Sequence, residues 1–370
     1  MTSLGDVVET IMGQAPPGSE CNKSGKGEVF VKAGEFGAEY PVVREWTTKP
    51  LKRAKSGDTL LCVVGATCGK VNKAIDCSIG RSVAAIRPLK NKLDENYLFY
   101  FISSWSLKLR AMSQGAAQTV ISKDMIASVQ IPLPPLAEQK RIAAILDKAD
   151  AIRQKRKQAI DLADEFLRSV FLDMFGQQLS SRSNVVKFGD ITVLDAKMVD
   201  PREEQYLDML HIGPDRIEKV NGQLLPAMTA REEMLISKKF LFDEKYVLYS
   251  KIRPYLRKAA VPDFSALCSA DMYPVKPIEG KATREFVWML LLSDFFDSYV
   301  SSLPNRANIP KLNKSELAAF EFSLPTYREI EKFSGIAKKI KSNRIALSGG
   351  LKDATNFFNA LSQKAFSGEL

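Results

Sequence analysis

The chain has one histidine, His211, among 370 residues. One imidazole cannot build a metal centre, and Cys268 is the only thiol in the same half of the chain, so a Cys-His nucleophile has little support. The five cysteines, at 21, 62, 68, 77 and 268, form an odd set. Their spacings match neither a zinc site nor a disulfide framework, so they read as reduced thiols of a cytoplasmic protein. Long apolar runs are missing too. The longest, FVWMLLL (286–292), is far too short to cross a bilayer, and MTSLGDVVET has no basic-then-apolar signal pattern, so no membrane association is expected.

Cofactor signatures are equally scarce. VGATCGKV (64–71) resembles a phosphate loop but puts three residues between its glycines instead of four. It also has Val71 where a magnesium-binding Ser or Thr is required. No G-x-G-x-x-G follows a strand pattern, and no Asn-Pro-Pro-aromatic or Asp-Pro-Pro-aromatic tetrapeptide of amino-methyltransferases occurs. One loose match to magnesium nucleases exists: Pro262-Asp263 followed by Glu279-Gly280-Lys281. There Asp263 and Glu279 would hold the metal and Lys281 would assist the water. The Glu-Gly-Lys set falls after Pro277, where a strand has just ended, and the first half of the chain has no counterpart, so the match reads as coincidence. No catalytic residue, metal or cofactor is expected.

What is present is a repeat. IPLPPLAEQKRIAAILDKADAIRQKRK (131–157) and FSLPTYREIEKFSGIAKKIKSNRIA (322–346) both lead into long heptad helices. At an offset of 188, Ile142, Ile145, Ala149, Ile152, Ala159 and Ala163 fall on Ile330, Phe333, Ala337, Ile340, Leu347 and Leu351, and Arg156 falls on Arg344. The 3-4 spacing is that of a coiled-coil seam. Upstream, Leu4-Gly5-Asp6 is echoed by Phe188-Gly189-Asp190, and VAAIRP (83–88) by MYPVKP (272–277). NYLFYFISSWSLKLRAM (96–112) matches REFVWMLLLSDFFDSYV (284–300), each read as one aromatic-rich helix. Strands and helices do not alternate strictly, so each copy is α+β. The expected division is a head over 1–136, a helix over 137–177, a second head over 186–325 and a second helix over 326–370. Connectivity makes the helices antiparallel, about an approximate two-fold axis.

The balance of 53 basic against 43 acidic residues, +10 net, favours a polyanionic partner. Lys251, Arg253, Tyr255, Arg257 and Lys258 alternate along a loop around Pro254, offering guanidinium forks and an aromatic face to guanine edges or phosphates. The first copy has Lys70, Asn72 and Lys73 at the matching place. A second polar loop brings Gln114 and Gln118 in one copy, Arg306 and Asn308 in the other. Two heads of one design with different side chains suit two different DNA sequences. The competing readings are a coiled-coil interaction protein without nucleic acid, and the nuclease of Asp263, Glu279 and Lys281.

In IPLPPLAEQKRIAAIL, SKIRPYLRKA and KAFSGEL (364–370), and in its head-helix-head-helix order, the chain resembles the specificity subunit of a type I restriction-modification system. The resemblance implies two target recognition domains joined by two antiparallel helices, reading double-stranded DNA as a bipartite site with the spacer set by the helices. It also implies a non-catalytic chain, partnered by two modification subunits and by restriction subunits. S-adenosylmethionine, ATP and magnesium belong to those partners. Pro135, Glu138, Gln139 and Arg141, in the family's Pro-Leu-Ala-Glu-Gln stretch, are the candidate contacts to a modification subunit. The second helix has Pro325-Thr326-Tyr327-Arg328-Glu329 there, so the two docking surfaces would differ.

Overall fold

The structure, a computed structural model, describes residues 1–113, 120–181, 183–304 and 310–370. It divides into two compact units: Met1–Arg156 with Gly350–Leu370, and Lys157–Gly349. Gln114, Gln118, Arg306 and Asn308 lie outside the described residues.

The first unit is built on an antiparallel sheet in the order Val8–Met12, Val83–Pro88, Thr59–Cys62, Val71–Lys73. Side chains alternate across a strand, so the unbroken apolar run Val83-Ala84-Ala85-Ile86 means burial on both faces. Ala84, Ile86 and Leu61 pack against the helix Glu95–Met112 through Tyr97, Leu98 and Phe101. Val83, Ala85 and Leu60 pack the other way, onto a second sheet through Val31, Ala54, Cys77 and Ile79. That second sheet contains one parallel pair, Glu28–Val31 with Cys77–Ile79, so the head is mixed α+β. Asp94 caps the helix by accepting from the backbone N–H groups of Asn96 and Tyr97, satisfying two orphan donors of its first turn.

The second unit repeats this plan. Its central sheet runs Thr192–Val193, Met272–Pro277, Val247–Ser250, Ala259–Ala260. Val247, Tyr249 and Val275 face the helical core, while Leu248 and Met272 face the other sheet. The second sheet again has one parallel pair, His211–Ile212 with Ala266–Cys268. The aromatic helix does not form as one piece here. It breaks at Ser293 into Arg284–Leu292 and Asp294–Ser302, because the Ser293 hydroxyl accepts from the Phe296 N–H and starts a new helix.

The two long helices span Leu136–Leu179 and Tyr327–Ser367. Each is shared between units, and within each unit the two halves run antiparallel. In the first unit Phe366 packs edge-on against Tyr97 and Phe101, both at 5.3 Å, and the Arg153 guanidinium lies 5.0 Å over the Phe358 ring. In the second, Phe175 does the same against Phe286 at 5.3 Å and Phe333 at 5.5 Å, with Phe171 also 5.4 Å from Phe333. Phe175 and Phe366 are equivalent; Phe175 is fully buried and stabilises its unit by about 2–3 kcal/mol, while Phe366 is partly buried.

This equivalence corrects the offset of 188 across the helices. Ser122 and Asn313 cap equivalent short helices, and Leu136 and Tyr327 start the long ones, in both cases 191 positions apart. Burial follows the same register: Gln139, Ile142, Ala143 and Leu146 are buried, as are Ile330, Phe333, Ser334 and Ala337. The counterpart of Arg344 is therefore Arg153, not Arg156. Arg156 instead lies against Gly350 in the first unit, where a Cβ would come within 2.2 Å of its guanidinium. A three-residue slip escapes detection in a pattern that repeats every three or four residues.

Candidate nucleic-acid interface

In each head the hairpin loop leaving the central sheet is tied to the polar loop that precedes the last short helix. In the first head Val64 bridges Val120, and the Ile121 N–H donates to the Val63 carbonyl at 2.9 Å. In the second, Ile252 bridges Lys311, the Arg253 N–H donates to the Pro310 carbonyl at 2.8 Å, and the Leu312 N–H donates to Lys251 at 2.9 Å. The hairpin loop of each head thus meets the described end of the polar loop, Val120 and Ile121 in one head and Pro310 to Leu312 in the other, at one edge of the sheet.

The hairpin loops have one backbone and two sequences. In the first, Gly65 and Gly69 have φ of 84° and 92°; in the second, at an offset of 188, Arg253 and Arg257 have φ of 48° and 47°. The hydrogen bonds match as well. The Cys68 N–H donates to Gly65 as the Leu256 N–H donates to Arg253, and the Cys62 N–H donates to Lys70 as the Ser250 N–H donates to Lys258. Glycine takes the left-handed conformation freely. A residue with a Cβ pays about 1–2 kcal/mol for it, so the second loop carries two such costs within five residues.

The two arginines are placed differently. Arg253 is exposed and its side chain has no hydrogen bond or ion pair among the described residues. Arg257 is three-quarters buried, and its fork is divided between Asp294 and Asp297, the latter at 2.6 Å. Burial opposes the charge, but Asp297 and Asp294 raise its pKa. Arg257 is thereby committed to the fold rather than free for a base. Tyr255, between them, is 57% exposed. Lys251 lies over the Tyr273 ring at 5.6 Å, and Lys258 donates to the Pro214 carbonyl at 2.6 Å.

In the first head only Lys70 of the three candidates stands free. Asn72 is 1% exposed, and its amide both accepts from the Gly37 N–H and donates to the Gly37 carbonyl. It is a bracing residue, not a surface reader. Lys73 is largely buried by Glu39 at 2.9 Å and by the rings of Phe99 and Tyr100; burial works against its charge, and Glu39 raises its pKa. The sequence reading missed other cations. Lys70 shares a cleft of about 880 Å³ with Lys108, Arg110 and Arg153, beside Phe99 and Trp105. The signal was the basic end of the aromatic helix, SLKLR.

At the start of the first long helix, Gln139 is also corrected. It is 1% exposed, accepts from the Asp94 N–H at 2.8 Å, and donates to the carbonyls of Lys92 and Pro134. It locks the helix to the head and offers nothing to a partner. Pro135 is exposed, and Glu138 pairs with Arg141 at 2.7 Å, which also donates to the Leu370 carbonyl. The second long helix starts differently, with Thr326 and Glu329 in a reciprocal capping box and Ile330 where the first has Gln139.

Asp263 and Lys281 of the nuclease set have other partners. Asp263 accepts from Arg284 and Lys341, Lys281 donates to the Asp190 carbonyl, and Glu279 is exposed at a turn. His211 sits 2.7 Å from Glu233 in a strand of the second head. Among the described residues no group of three His, Cys, Asp or Glu side chains could hold a metal ion, and no helix is long and apolar enough to cross a membrane.

These features define a duplicated α+β binding protein: two heads that present cationic loops on one backbone plan, each braced by halves of two long helices. Comparison with known proteins shows what such a chain is similar to. The family model "Type I restriction modification DNA specificity domain" matches residues 1–162. The MjaX type I restriction enzyme specificity subunit of Methanocaldococcus jannaschii is 40% identical over 167 residues, 44% of this chain and 39% of that protein. The EcoDI specificity subunit of Escherichia coli is 24% identical over 330 residues, 77% of this chain and 72% of that one. The crystal structure of the type I restriction-modification S subunit from M. genitalium shares the fold, with a TM-score of 0.59 at 15% identity over 98% of this chain and 95% of that one. Over these stretches the chain is similar to type I restriction specificity subunits, and it spans well under half the length of the MjaX subunit.

Proposed function

We propose that the chain is the DNA-specificity subunit of a type I restriction-modification complex, acting in the cytoplasm. Each head reads one half of a bipartite, asymmetric site in double-stranded DNA, the paired helices set the unread spacer, and partner subunits methylate and cleave. The observation that carries this reading is the paired loop edge, built twice on one backbone with different cationic side chains. A repeated backbone supplies a repeated docking geometry, while changed side chains supply changed sequence. Lys70 in one head, and Lys251, Arg253, Tyr255 and Lys258 in the other, are the described residues offered to DNA; Gln114, Gln118, Arg306 and Asn308 are proposed alongside them from the sequence. Glu138 and Arg141, beside Pro135, remain contacts for a modification subunit. So do large apolar side chains exposed on the helices: Ile152 and Phe357 in the first unit, Leu162, Phe166 and Ile345 in the second, each at least 50% exposed.

Methylation mapping of a host genome with and without this gene tests the reading. The expected result is one additional split motif with two defined halves and an undefined spacer. A host methylome unchanged by the gene, or an added motif that is continuous, would overturn it. An interaction protein without nucleic acid gives the first of those outcomes.

A further inference from the structure

Resting on that reading, we infer that Arg253 is the residue of the second head that selects a guanine, and that Arg257 positions it. Four observations converge. Arg253 is exposed at the loop edge and its guanidinium has no partner among the described residues. Its backbone is fixed on both sides, by its N–H to the Pro310 carbonyl and by the Leu256 N–H to its own carbonyl. It occupies a left-handed position where the first head has glycine, so the second loop retains a side chain at a place where the fold would be relieved to lose it. A strained residue whose side chain has no partner among the described residues is held for something outside the protein. A free, rigidly based guanidinium is suited to the O6 and N7 acceptors of guanine, which it meets with two parallel hydrogen bonds.

Arg257 closes the other end of the same turn. Its two nitrogens grip Asp294 and Asp297 at the start of the helix Asp294–Ser302. That grip fixes the three-residue turn Pro254–Leu256 between the arginines, and with it the direction in which Arg253 leaves the loop. The first head, with Gly65 and Gly69 at these two places, has neither the reader nor the clamp, and so reads its half-site with other residues.

The test uses methylation motifs mapped in a host whose only copy of the gene is the variant, together with thermal unfolding of the purified full chain. Arg253→Gly installs the residue that the first head tolerates. It should make one G·C position of one half-site degenerate, a roughly tenfold to hundredfold loss of preference there, with the other half-site unchanged and the unfolding midpoint equal or raised. Arg253→Lys keeps charge and strain but not the fork, and should relax the same position. Arg257→Gly, or Asp294→Asn with Asp297→Asn, should relax that position too, and the Arg253→Gly, Arg257→Gly pair should be no worse than Arg253→Gly alone. An unchanged motif in the Arg253 variants, a lowered midpoint for Arg253→Gly, or a second base position lost in the Arg257 variants would overturn the assignment. If the wild-type gene adds no split motif, it is the reading as a specificity subunit that falls; if it adds one and Arg253→Gly leaves it intact, only Arg253 falls.

Discussion

Replacing Arg344 by methionine removes a guanidinium whose Nε lies 3.1 Å from the Asp164 carboxylate, both side chains being under 15% exposed. The two residues sit on different long helices within the second unit. The contact is ionic without hydrogen-bond alignment, since Arg344 Nε has no hydrogen-bond partner, but Nη2 donates to Gln223 of the head at 2.7 Å. Breaking a buried pair from one side costs about 3–5 kcal/mol, because the charge left behind is uncompensated. Imperfect alignment places this case at the lower end, about 3 kcal/mol. Burial already raises the Asp164 pKa, with Arg344 pulling against it, so its loss raises that pKa further. A carboxyl with a raised folded pKa contributes stability below its unfolded pKa and loses it as pH rises through the folded value. The deficit of Arg344→Met should therefore be full at pH 7 and shrink as pH falls toward about 4. Asp164→Asn should cost less, since Arg344 keeps Gln223. Urea unfolding of the full chain from pH 4 to 8 measures all three quantities. A deficit independent of pH, or a larger cost for Asp164→Asn, would refute the argument that Arg344 serves chiefly to neutralise a buried carboxylate.

Gln139→Ala should destabilise the first unit by about 2–3 kcal/mol by orphaning the Asp94 N–H and two carbonyls, read as faster amide exchange at the start of the helix Glu95–Met112. Were exchange there unaltered, Gln139 would be free for a partner after all. Phe175→Ala should cost the second unit about 3–5 kcal/mol and leave proteolytic resistance of residues 1–113 intact; equal loss in both units would contradict separate cores. A heptad inserted in both helices, between Arg156 and Lys157 and between Gly349 and Gly350, keeps the seam and adds about 10 Å. The methylated motif should then gain a spacer about three base pairs longer at roughly 3.4 Å each, and an unaltered spacer would mean that the heads set the distance.

The architecture was legible because duplication supplies its own control: a strand stopped by proline or a helix capped by Ser or Asn is believable when it occurs twice. The register of the long helices was not, since Ile142 over Ile330 and Ile142 over Phe333 are both apolar on apolar. Only the caps at Ser122 and Asn313 and the buried set around Gln139 distinguish them. The candidate loops were legible as runs of polar residues, but not the division of labour within them. Nothing in the letters separates the exposed Arg253 from Arg257, whose aspartates lie 37 and 40 residues downstream. Asn72 and Gln139 misled for one reason: a buried amide that satisfies backbone groups looks, in sequence, like an amide reserved for a ligand.

The sharing of the long helices has a consequence for the order in which the protein can be finished on the ribosome. The second unit, Lys157–Gly349, is complete in sequence once Gly349 has been added. The first cannot close until Gly350–Leu370 arrives with Phe358, Ala365 and Phe366 for its core. At about 5–20 residues per second, the head made first waits roughly 10–40 s with the faces of Tyr97 and Phe101 uncovered. A premature stop just after Gly349 would thus injure the unit whose head is translated earlier, and the half-site lost would be the one read by that head.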